Sequence, residues 1–341
     1  MIHDDLPLID LHRHLDGNVR LSTILDLANQ HHLPLPADNL EDLRPHIQVH
    51  EPLTDILTYF EKFAWMVSIF ADEAACRRVA YENVLDARAE GIDYIELRFS
   101  PWFMAEPHGL DPAAVVGAVV AGVRDAVQAL GDIRVNLIGI ISRTYGVEIG
   151  YKELEALLAY KEDIVGLDLA GDEANFPAEW FIPHFNKARD AGWGITVHAG
   201  ESAGTESVWQ AINDLGAVRI GHAVCILEDP ALVEHMLEAR IGIEANLTSN
   251  WHTNTVASYA EHPLKTWLDL GLLATINTDD PGISPVTLRE EFELAAPKAG
   301  LTAEDTRKAQ QNALEIAFLA DEEKQALLIK KGKTDHTSDE N

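Results

Sequence analysis

Short apolar runs recur along the chain, and each of the eight ends in polar or chemically capable residues. A continuous apolar run of this length is typical of a strand that is buried on both faces, as in a parallel sheet. Between successive runs lie segments long enough for at least one helix, such as 111–130 and 153–161. The runs span residues 7–14, 94–101, 135–143, 165–173, 194–201, 219–224, 241–250 and 274–282.

Strands that alternate with helices favour a parallel sheet covered on both faces, and eight such units favour a closed (β/α)8 barrel of the TIM type. A doubly wound open sheet is the alternative, but that fold prefers a glycine-rich dinucleotide loop after its first strand. Residues 15–18, Leu-Asp-Gly-Asn, are not such a loop. We therefore predict an α/β barrel as a single domain over residues 1–325, followed by a polar, flexible tail over 326–341.

The longest interruption of the pattern lies between the first and second runs, at residues 19–93, and contains two helical patterns, 21–31 and 53–69. Insertions at the top of a barrel often cover the active site. Large apolar side chains in the second pattern are candidates for the roof of a pocket, although ordinary helix packing is the simpler interpretation of each. They are Phe60, Phe63, Trp65 and Ile69.

The composition narrows the possible partners of the protein. Of the 341 residues 47% are hydrophobic, which is enough for a large core, and the formal net charge is -30. Such an acidic chain argues against a nucleic-acid partner and mildly against an anionic substrate, although a local basic pocket stays possible. The two cysteines, Cys76 and Cys225, form no C-x-x-C pair, which argues against a disulfide framework or a zinc–thiolate site.

No targeting or membrane segment is evident in the sequence. The first eight residues include His3, Asp4 and Asp5 and have no apolar core of a signal peptide. No run of about 18 apolar residues suggests a membrane span. We expect a cytoplasmic protein with a small-molecule substrate and without a nucleic-acid or membrane partner, and the sequence leaves its oligomeric state open.

The first apolar run ends in two histidines, His12 and His14, followed by Asp16 and Gly17. Side chains two residues apart on an extended strand point to the same face, so both imidazoles can converge on one metal ion. The same pair is also explained by a strand end that happens to carry two histidines. The hypothesis of a metal site therefore needs ligands from elsewhere in the chain.

Such ligands follow other apolar runs. Functional groups in a barrel lie at the carboxyl ends of the strands, which the fold brings to one mouth. Three neutral imidazoles and one carboxylate suit zinc and leave a position for water. Either Asp279 or Asp280 can supply the carboxylate, and the other can hold a substrate N–H or ring nitrogen. The metal candidates are His12, His14 and His198 with one of these aspartates, and Glu201 and His222 remain to orient a nucleophile and donate a proton.

Several other enzyme classes are excluded by their motifs. The chain has no H-E-x-x-H, no P-C-x-x-C of the cytidine-type deaminases and no P-loop. A binuclear hydrolase would usually need a bridging ligand from the fourth run, which ends in Gly171, Asp172 and Glu173 without a lysine. The pattern therefore favours a single metal ion.

Taken together, these motifs resemble those of the adenosine deaminase family, and of its bacterial members above all. The resemblance extends from about residue 6 to about residue 325, with the motifs in the family's order. The motifs are DLHRHLDG (10–17), LAGDE (169–173), HAGE (198–201), GHAV (221–224), LTSN (247–250) and NTDDPG (277–282).

The resemblance implies a (β/α)8 barrel with one Zn²⁺ per chain. It also implies hydrolytic deamination of adenosine and 2′-deoxyadenosine to inosine and 2′-deoxyinosine, with release of ammonia, in purine salvage. Matched by motif position, the implied zinc ligands are His12, His14, His198 and Asp279. The implied catalytic residues are Asp279, Glu201, which donates a proton to purine N1, and His222, which orients the attacking hydroxide. The implied substrate contacts are Asp280 to N7, the Gly171 backbone to N3, and Asp16 with His14 to the ribose.

One position departs from the family pattern, because Ala223 follows His222 where the family commonly has glycine. A methyl group there can shift His222 without removing its function. Two alternatives stay open: a deaminase of adenine or of a modified adenine nucleoside, and a non-catalytic barrel that binds a purine nucleoside. The presence of Glu201, His222 and Asp280 beyond the metal ligands favours an enzyme, since a binding module does not need all three.

Overall fold

The computed structural model describes residues 1–54 and 56–335. In these residues eight parallel strands form one sheet, in which each strand pairs with the next along the chain. This order confirms the predicted (β/α)8 barrel and excludes a doubly wound sheet, whose strand order reverses near its middle. The strands are β1 (Ile9–His14), β2 (Tyr94–Phe99), β3 (Arg134–Ser142), β4 (Ile164–Ala170), β5 (Gly194–Ala199), β6 (Arg219–His222), β7 (Gly242–Ala245) and β8 (Leu273–Ile276).

Helices occupy the segments between the strands and follow the last strand. The α-helices are Leu21–His31, Leu40–Ile47, Ile56–Glu61, Phe63–Val67, Glu73–Ala89, Pro101–Ala105, Pro112–Leu130, Gly146–Leu158, Ile182–Asp190, Thr205–Gln210, Pro230–Ala239, Leu247–His252, Leu264–Leu270, Leu288–Glu290, Ala296–Lys298, Ala303–Ile316 and Asp321–Asp335. Short 3-10 helices span Glu106–His108, Arg143–Tyr145, Ala178–Phe181, Ile226–Glu228 and Tyr259–Glu261, and π-helical turns span Ala211–Leu215 and Glu291–Ala295.

Each predicted run contains a strand, but the seventh run also contains a helix. Strand β7 ends at Ala245, and the rest of the run forms the helix Leu247–His252. Periodicity cannot separate a short buried strand from a short buried helix, so the apolar pattern did not reveal this change. The predicted helix at 53–69 is likewise divided, into Ile56–Glu61 and Phe63–Val67.

Within the described residues one helix, Pro112–Leu130, is long and apolar enough to cross a membrane by length and composition alone, with a mean hydropathy of 1.5. Proline at its first position and Gly131 in a left-handed conformation after its end mark it as a well-capped helix. Val115, Val119 and Val123 recur along one face and are buried in the main hydrophobic core. We therefore interpret this segment as an outer helix of the barrel.

The barrel closes through a short seam between β1 and the loop that follows β8. Asp279 bridges to Arg13, because its N–H donates to the His12 carbonyl and its carbonyl accepts from the His14 N–H, both at 2.8 Å. The Asn277 Oδ1 also accepts a hydrogen bond from the Leu11 N–H at 2.9 Å. The seam therefore fixes Asp279 beside the two histidines of β1.

The interior of the barrel is ionic. Arg98 on β2 donates to Asp168 on β4 at 2.8 Å and to Glu244 on β7 at 2.7 Å, and all three side chains are fully buried. Arg219 on β6 pairs with the other oxygen of Glu244 at 2.7 Å, and the Phe318 ring stacks 3.7 Å from its guanidinium below the barrel. The apolar core therefore lies mainly between the strands and the helices, where strand residues such as Leu97 and Leu167 belong to the largest hydrophobic cluster.

The last described helix, Asp321–Asp335, crosses residue 325, the predicted boundary of the barrel domain. Its Leu327 is buried in a small apolar cluster with Ile9 and Leu11 of β1. Residues 336–341 of the predicted tail lie outside the described part of the chain. The division into a domain and a tail stays a prediction.

Candidate active site

Four side chains converge at the carboxyl ends of the strands: His12 and His14 from β1, His198 from β5, and Asp279 from the loop after β8. The His198 Nε2 lies 3.1 Å from that of His12 and 3.2 Å from that of His14. The Asp279 Oδ1 lies 3.1 Å and 3.3 Å from the same two β1 nitrogens. The four atoms all lie within 4.8 Å of one another, which leaves room for one cation among them, since zinc binds imidazole nitrogen and carboxylate oxygen at about 2.0–2.2 Å.

The hydrogen bonds around this cluster leave its inner atoms free to bind a cation. The His12 Nδ1 donates to Glu244 at 2.7 Å and the His198 Nδ1 donates to Asp168 at 2.9 Å, so both Nε2 lone pairs face the centre. The Asp279 Oδ1 is buried and accepts no hydrogen bond within the described residues. Bare nitrogens and a carboxylate oxygen at these distances are stable together only around a positive charge, so the cluster fits a metal ion.

Two carboxylates behind the histidines had no role in the sequence-based prediction. Burial alone would raise the pKa of Glu244, but the Arg98 and Arg219 guanidiniums hold it well below its ordinary value. Burial opposes the ionised form of Asp168 as well, yet His198 and Arg98 lower the pKa of that carboxyl. A charged residue at an inward position of an apolar strand is the signal that could have found both.

Glu201 lies beside this cluster, on a loop that is held by another carboxylate. Glu173 accepts backbone N–H bonds from Gly200 at 2.6 Å, from Glu201 at 3.1 Å and from Ser202 at 2.9 Å. Burial raises the pKa of the Glu201 carboxyl well above its ordinary value, and the negative charges of Asp279 and Glu173 raise it further. This shift favours the protonated form of the Glu201 carboxyl, the form that can donate a proton.

His222 lies at the end of β6, with its ring centroid 5.1 Å from those of His12 and His198. Its Nδ1 is 3.5 Å from Glu201 Oε1, too far for a strong hydrogen bond. Burial lowers the pKa of this imidazole well below its ordinary value, so the ring is neutral. The His222 imidazole and the Glu201 carboxyl thus face the same small cavity.

Asp280 and Asp279 were interchangeable in the reasoning from sequence, and the structure separates them. Asp280 takes no part in the cluster that fits a metal, and its pKa is raised well above the ordinary value by burial and by the Asp279 charge. A side chain on Gly17 would collide with Asp280, since a Cβ there would lie 1.8 Å from its Oδ1. Glycine at position 17 therefore lets this carboxyl approach the turn that follows β1.

The remaining predicted contacts lie on the cavity wall. The Asp16 Oδ2 accepts from the Ser100 N–H at 2.9 Å, and its Oδ1 lies 3.8 Å from His14 Nδ1. Gly171 has a left-handed φ of 104°, and a Cβ there would lie 2.6 Å from Thr144 Oγ1. Both Asp16 and Gly171 border the space next to the metal cluster.

Two neighbouring cavities, which share His14 and Gly171 among their lining residues, lie next to the metal cluster. The inner one, about 60 Å³, is bordered by Glu201, His222 and Asp280, and the outer one has about 230 Å³. Phe60 and Phe63 from the predicted roof line both cavities. Ile69 is instead buried in the hydrophobic core, and Trp65 packs against that core. The apolar walls of the outer cavity also include Phe103, Ile140 and Tyr145.

Comparison with known proteins agrees with the resemblance seen in the motifs. A family model described as adenosine deaminase matches residues 7–331. An adenosine deaminase of Photorhabdus laumondii is 54% identical over 330 residues, which are 97% of this chain and 99% of that protein. An adenosine deaminase of Salmonella typhimurium is 56% identical over 327 residues, 96% and 98% of the two chains.

Solved structures show the same fold. An adenine deaminase from Arthrobacter aurescens superposes with a TM-score of 0.89 at 23% identity and covers 96% of this chain and 98% of its own. An N6-methyl-AMP deaminase from Arabidopsis thaliana superposes with a TM-score of 0.82 at 27% identity, with 97% of each chain covered. The first likeness concerns the fold alone.

Proposed function

The chain belongs to the adenosine deaminase family, and we propose that it hydrolyses adenosine and 2′-deoxyadenosine to inosine and 2′-deoxyinosine with release of ammonia. The observation that carries this proposal is the meeting of the four-residue metal cluster with a carboxyl of raised pKa, Glu201, in one small cavity. A role in purine salvage in the cytoplasm agrees with this activity.

We propose zinc as the metal, one ion per chain, held by His12, His14, His198 and Asp279. When bound, zinc lowers the pKa of a coordinated water toward neutrality and so supplies a nucleophile. The donor set supports zinc over harder cations, because three imidazoles with one carboxylate suit it. Elemental analysis should find one zinc per chain; two metals per chain, or full activity after exhaustive chelation, would contradict the assignment.

The surrounding residues support a division of labour on the purine. Attack at C6 disrupts the aromatic ring, which is easier if N1 receives a proton, and the raised pKa of Glu201 favours the protonated form that can supply it. Burial and the Asp279 charge raise the pKa of Asp280 as well, which favours a protonated carboxyl that can donate to N7, an acceptor. His222 orients the attacking water, and the Gly171 backbone contacts N3. Asp279 takes part in catalysis through its place among the metal ligands.

The outer cavity supports a nucleoside as the substrate. It offers space beyond a purine base, and Asp16 at its wall can accept a hydrogen bond from a ribose hydroxyl, with His14 beside it. Its described lining residues include no lysine or arginine, so a 5′-phosphate would meet Asp16 without a compensating cation. We infer that free adenine binds worse because the buried acceptor loses its donor, and that AMP is a poor substrate.

An absorbance assay with adenosine, 2′-deoxyadenosine, adenine and AMP tests this proposal. We expect kcat/KM to be highest for the two nucleosides, and a rate with adenine equal to that with adenosine would contradict it. Glu201→Gln is expected to keep the metal and lower kcat by about 10²–10⁴-fold, the usual contribution of a positioned acid. Glu206→Gln, at an exposed position on the same segment, is the matched control. Activity of Glu201→Gln within a few-fold of the wild type would remove this residue from the mechanism.

A further inference from the structure

The helix Leu247–His252 contains a buried amide that contacts the histidine of the active site from behind. Asn250 is fully buried, and its Nδ2 lies 2.9 Å from His222 Nδ1. Asn246 Nδ2 reaches the same nitrogen at 3.4 Å. On its other side, Asn250 Oδ1 lies 3.2 Å from His262 Nε2. Asn250 therefore bridges two histidine rings, of which only His222 borders the cavity.

One backbone N–H group, that of Leu264, fixes the donor and the acceptor in each hydrogen bond that links it through His262 and Asn250 to His222. The Leu264 N–H lies 3.2 Å from His262 Nδ1, and a backbone N–H can only donate. The Nδ1 of His262 is therefore bare, and burial, which lowers its pKa to about 3, keeps the ring neutral with its proton on Nε2. That proton needs an acceptor, so Asn250 must present its Oδ1 to His262 and its NH₂ group to His222.

The hydrogen bond between Asn250 and His222 assigns the tautomer of His222. Its Nδ1 accepts from Asn250 and therefore carries no proton, so the N–H of the ring resides on Nε2. The opposite orientation of the Asn250 amide would place an N–H against the His262 N–H and leave two buried groups without a hydrogen-bond partner, which is unfavourable. Backbone, imidazole and amide thus form a relay with one allowed pattern of protons.

We propose that Asn250 and His262 are positioning residues that hold His222 as the Nε2–H tautomer, so that it acts as a hydrogen-bond donor in the cavity. In this state Nε2 can orient an oxygen nucleophile but cannot take its proton. The catalytic role that we give to His222 rests on the proposed deaminase function. Its tautomer does not, because the hydrogen bonds within the protein determine it.

Three variants separate the relay from simple packing. Asn250→Asp preserves the shape of the side chain, but an ionised carboxylate only accepts and so draws the proton onto His222 Nδ1. We expect this change to lower kcat by at least about 10²-fold with KM within a few-fold, as a wrong tautomer does for a catalytic histidine. His262→Gln retains a donor toward Asn250, whereas His262→Leu removes it, so the glutamine variant should retain much more of the wild-type kcat.

Nitrogen-15 NMR of labelled histidine in the full chain reads the tautomer directly, in the metal-depleted and the zinc-loaded protein, with His222→Gln assigning the signals. We expect a bare Nδ1 and a protonated Nε2 on His222 in the wild type and in His262→Gln, and a protonated Nδ1 in Asn250→Asp. A wild-type His222 protonated on Nδ1, or on both nitrogens, would overturn the inference.

These outcomes are independent of the proposed function, because the spectrum needs no substrate. A chain that fails to deaminate adenosine but shows the Nε2–H tautomer refutes the function alone. A chain that deaminates adenosine with His222 protonated on Nδ1 refutes the relay alone. If Asn250→Asp does not fold, the wild-type spectrum and the His262 pair still decide.

Discussion

The inner and outer sides of the barrel strands follow opposite rules. On β2, the side chain of Leu97 points outward into the hydrophobic cluster, while that of its neighbour Arg98 points inward to two buried carboxylates. Both residues are fully buried. The outer side is built for burial of apolar area, and the inner side for control of charge. One strand can therefore serve stability on one face and the active site on the other.

The difference has a chemical reason. An apolar interior would pack equally well, but it could not hold the protons of His12 and His198 on Nδ1 and keep their Nε2 lone pairs available. Glu244 and Asp168 do so, and they need Arg98 to stay ionised at this depth. Buried ion pairs are weak evidence for stability, so their value here lies in orienting the ligands.

Arg98→Met should break the inner side most severely. The change leaves two buried carboxylates without their shared cation, and breaking a buried pair destabilises a fold by about 3–5 kcal/mol. Loss of support behind the metal ligands should weaken metal binding by about 10–100-fold. Denaturant unfolding and competition with a chelator measure both effects. Arg124→Met, at an exposed pair with Asp163, is the control, and an equal loss there would contradict the distinction.

Leu97→Ala tests the outer side one residue away. Truncation of a fully buried leucine should destabilise the fold by about 2–5 kcal/mol through lost burial and a cavity. The metal affinity of the folded protein should stay within a few-fold of the wild type, because Leu97 faces away from the ligands. The same chelator competition would reveal a larger change, which would mean that the two sides are not separable.

Asp16→Glu probes the rim, where the inner side becomes the wall of the outer cavity. The added methylene should occupy space that the sugar needs and lower the adenosine-to-adenine ratio of kcat/KM by about 10-fold, within the 1–3 kcal/mol of one buried hydrogen bond. Steady-state kinetics on both substrates measure the ratio. Asp38→Glu, at an exposed site, should leave it unchanged. An unaltered ratio in Asp16→Glu would show that this carboxylate does not contact the sugar.

Ala223→Gly should have the smallest effect and extends the comparison to the backbone. Ala223 has a left-handed φ of 56°, a strain of roughly 1–2 kcal/mol for a residue with a Cβ. Glycine relieves it, but loss of a buried methyl, about 0.8 kcal/mol, and a freer unfolded chain, about 0.4–1 kcal/mol, offset the gain. The free energy of unfolding, obtained from thermal melting, should change by less than about 0.5 kcal/mol, and kcat should stay within a few-fold of the wild-type value. A large loss of stability would mean that the methyl group supports His222.

The sequence predicted the strands well from their outward-facing apolar residues. Of the inward-facing residues it identified only those at the carboxyl ends of the strands. Eight apolar runs predicted eight strands, because burial on the helix-facing side leaves a continuous signal. His12, His14 and His198 stood out because they follow those runs. Glu244 and Asp168 did not, because a single charge inside an apolar strand indicates an inward position but does not identify the groups that it faces.

The choice between Asp279 and Asp280 was also beyond the sequence. The two residues are adjacent and chemically identical, so no pattern of residue types can rank them. The backbone decides, because the left-handed φ of 65° at Asp279 and its bonds to His12 and His14 aim this carboxylate at the cluster. The role of each site residue in catalysis stays a prediction until the variants are measured.

The seam at Asp279 determines when, during synthesis of the chain, the metal site can be completed. Two of the metal ligands lie in the first strand and one lies beyond the last, some 265 positions later in a chain that a ribosome makes from its N-terminus. A nascent chain that has not yet released residue 279 has at most the three histidines and an open edge at β1. Closing so long a loop is among the slowest contacts to form. The chain can therefore bind the metal at full affinity only late in folding, after the loop that follows β8 has paired with β1.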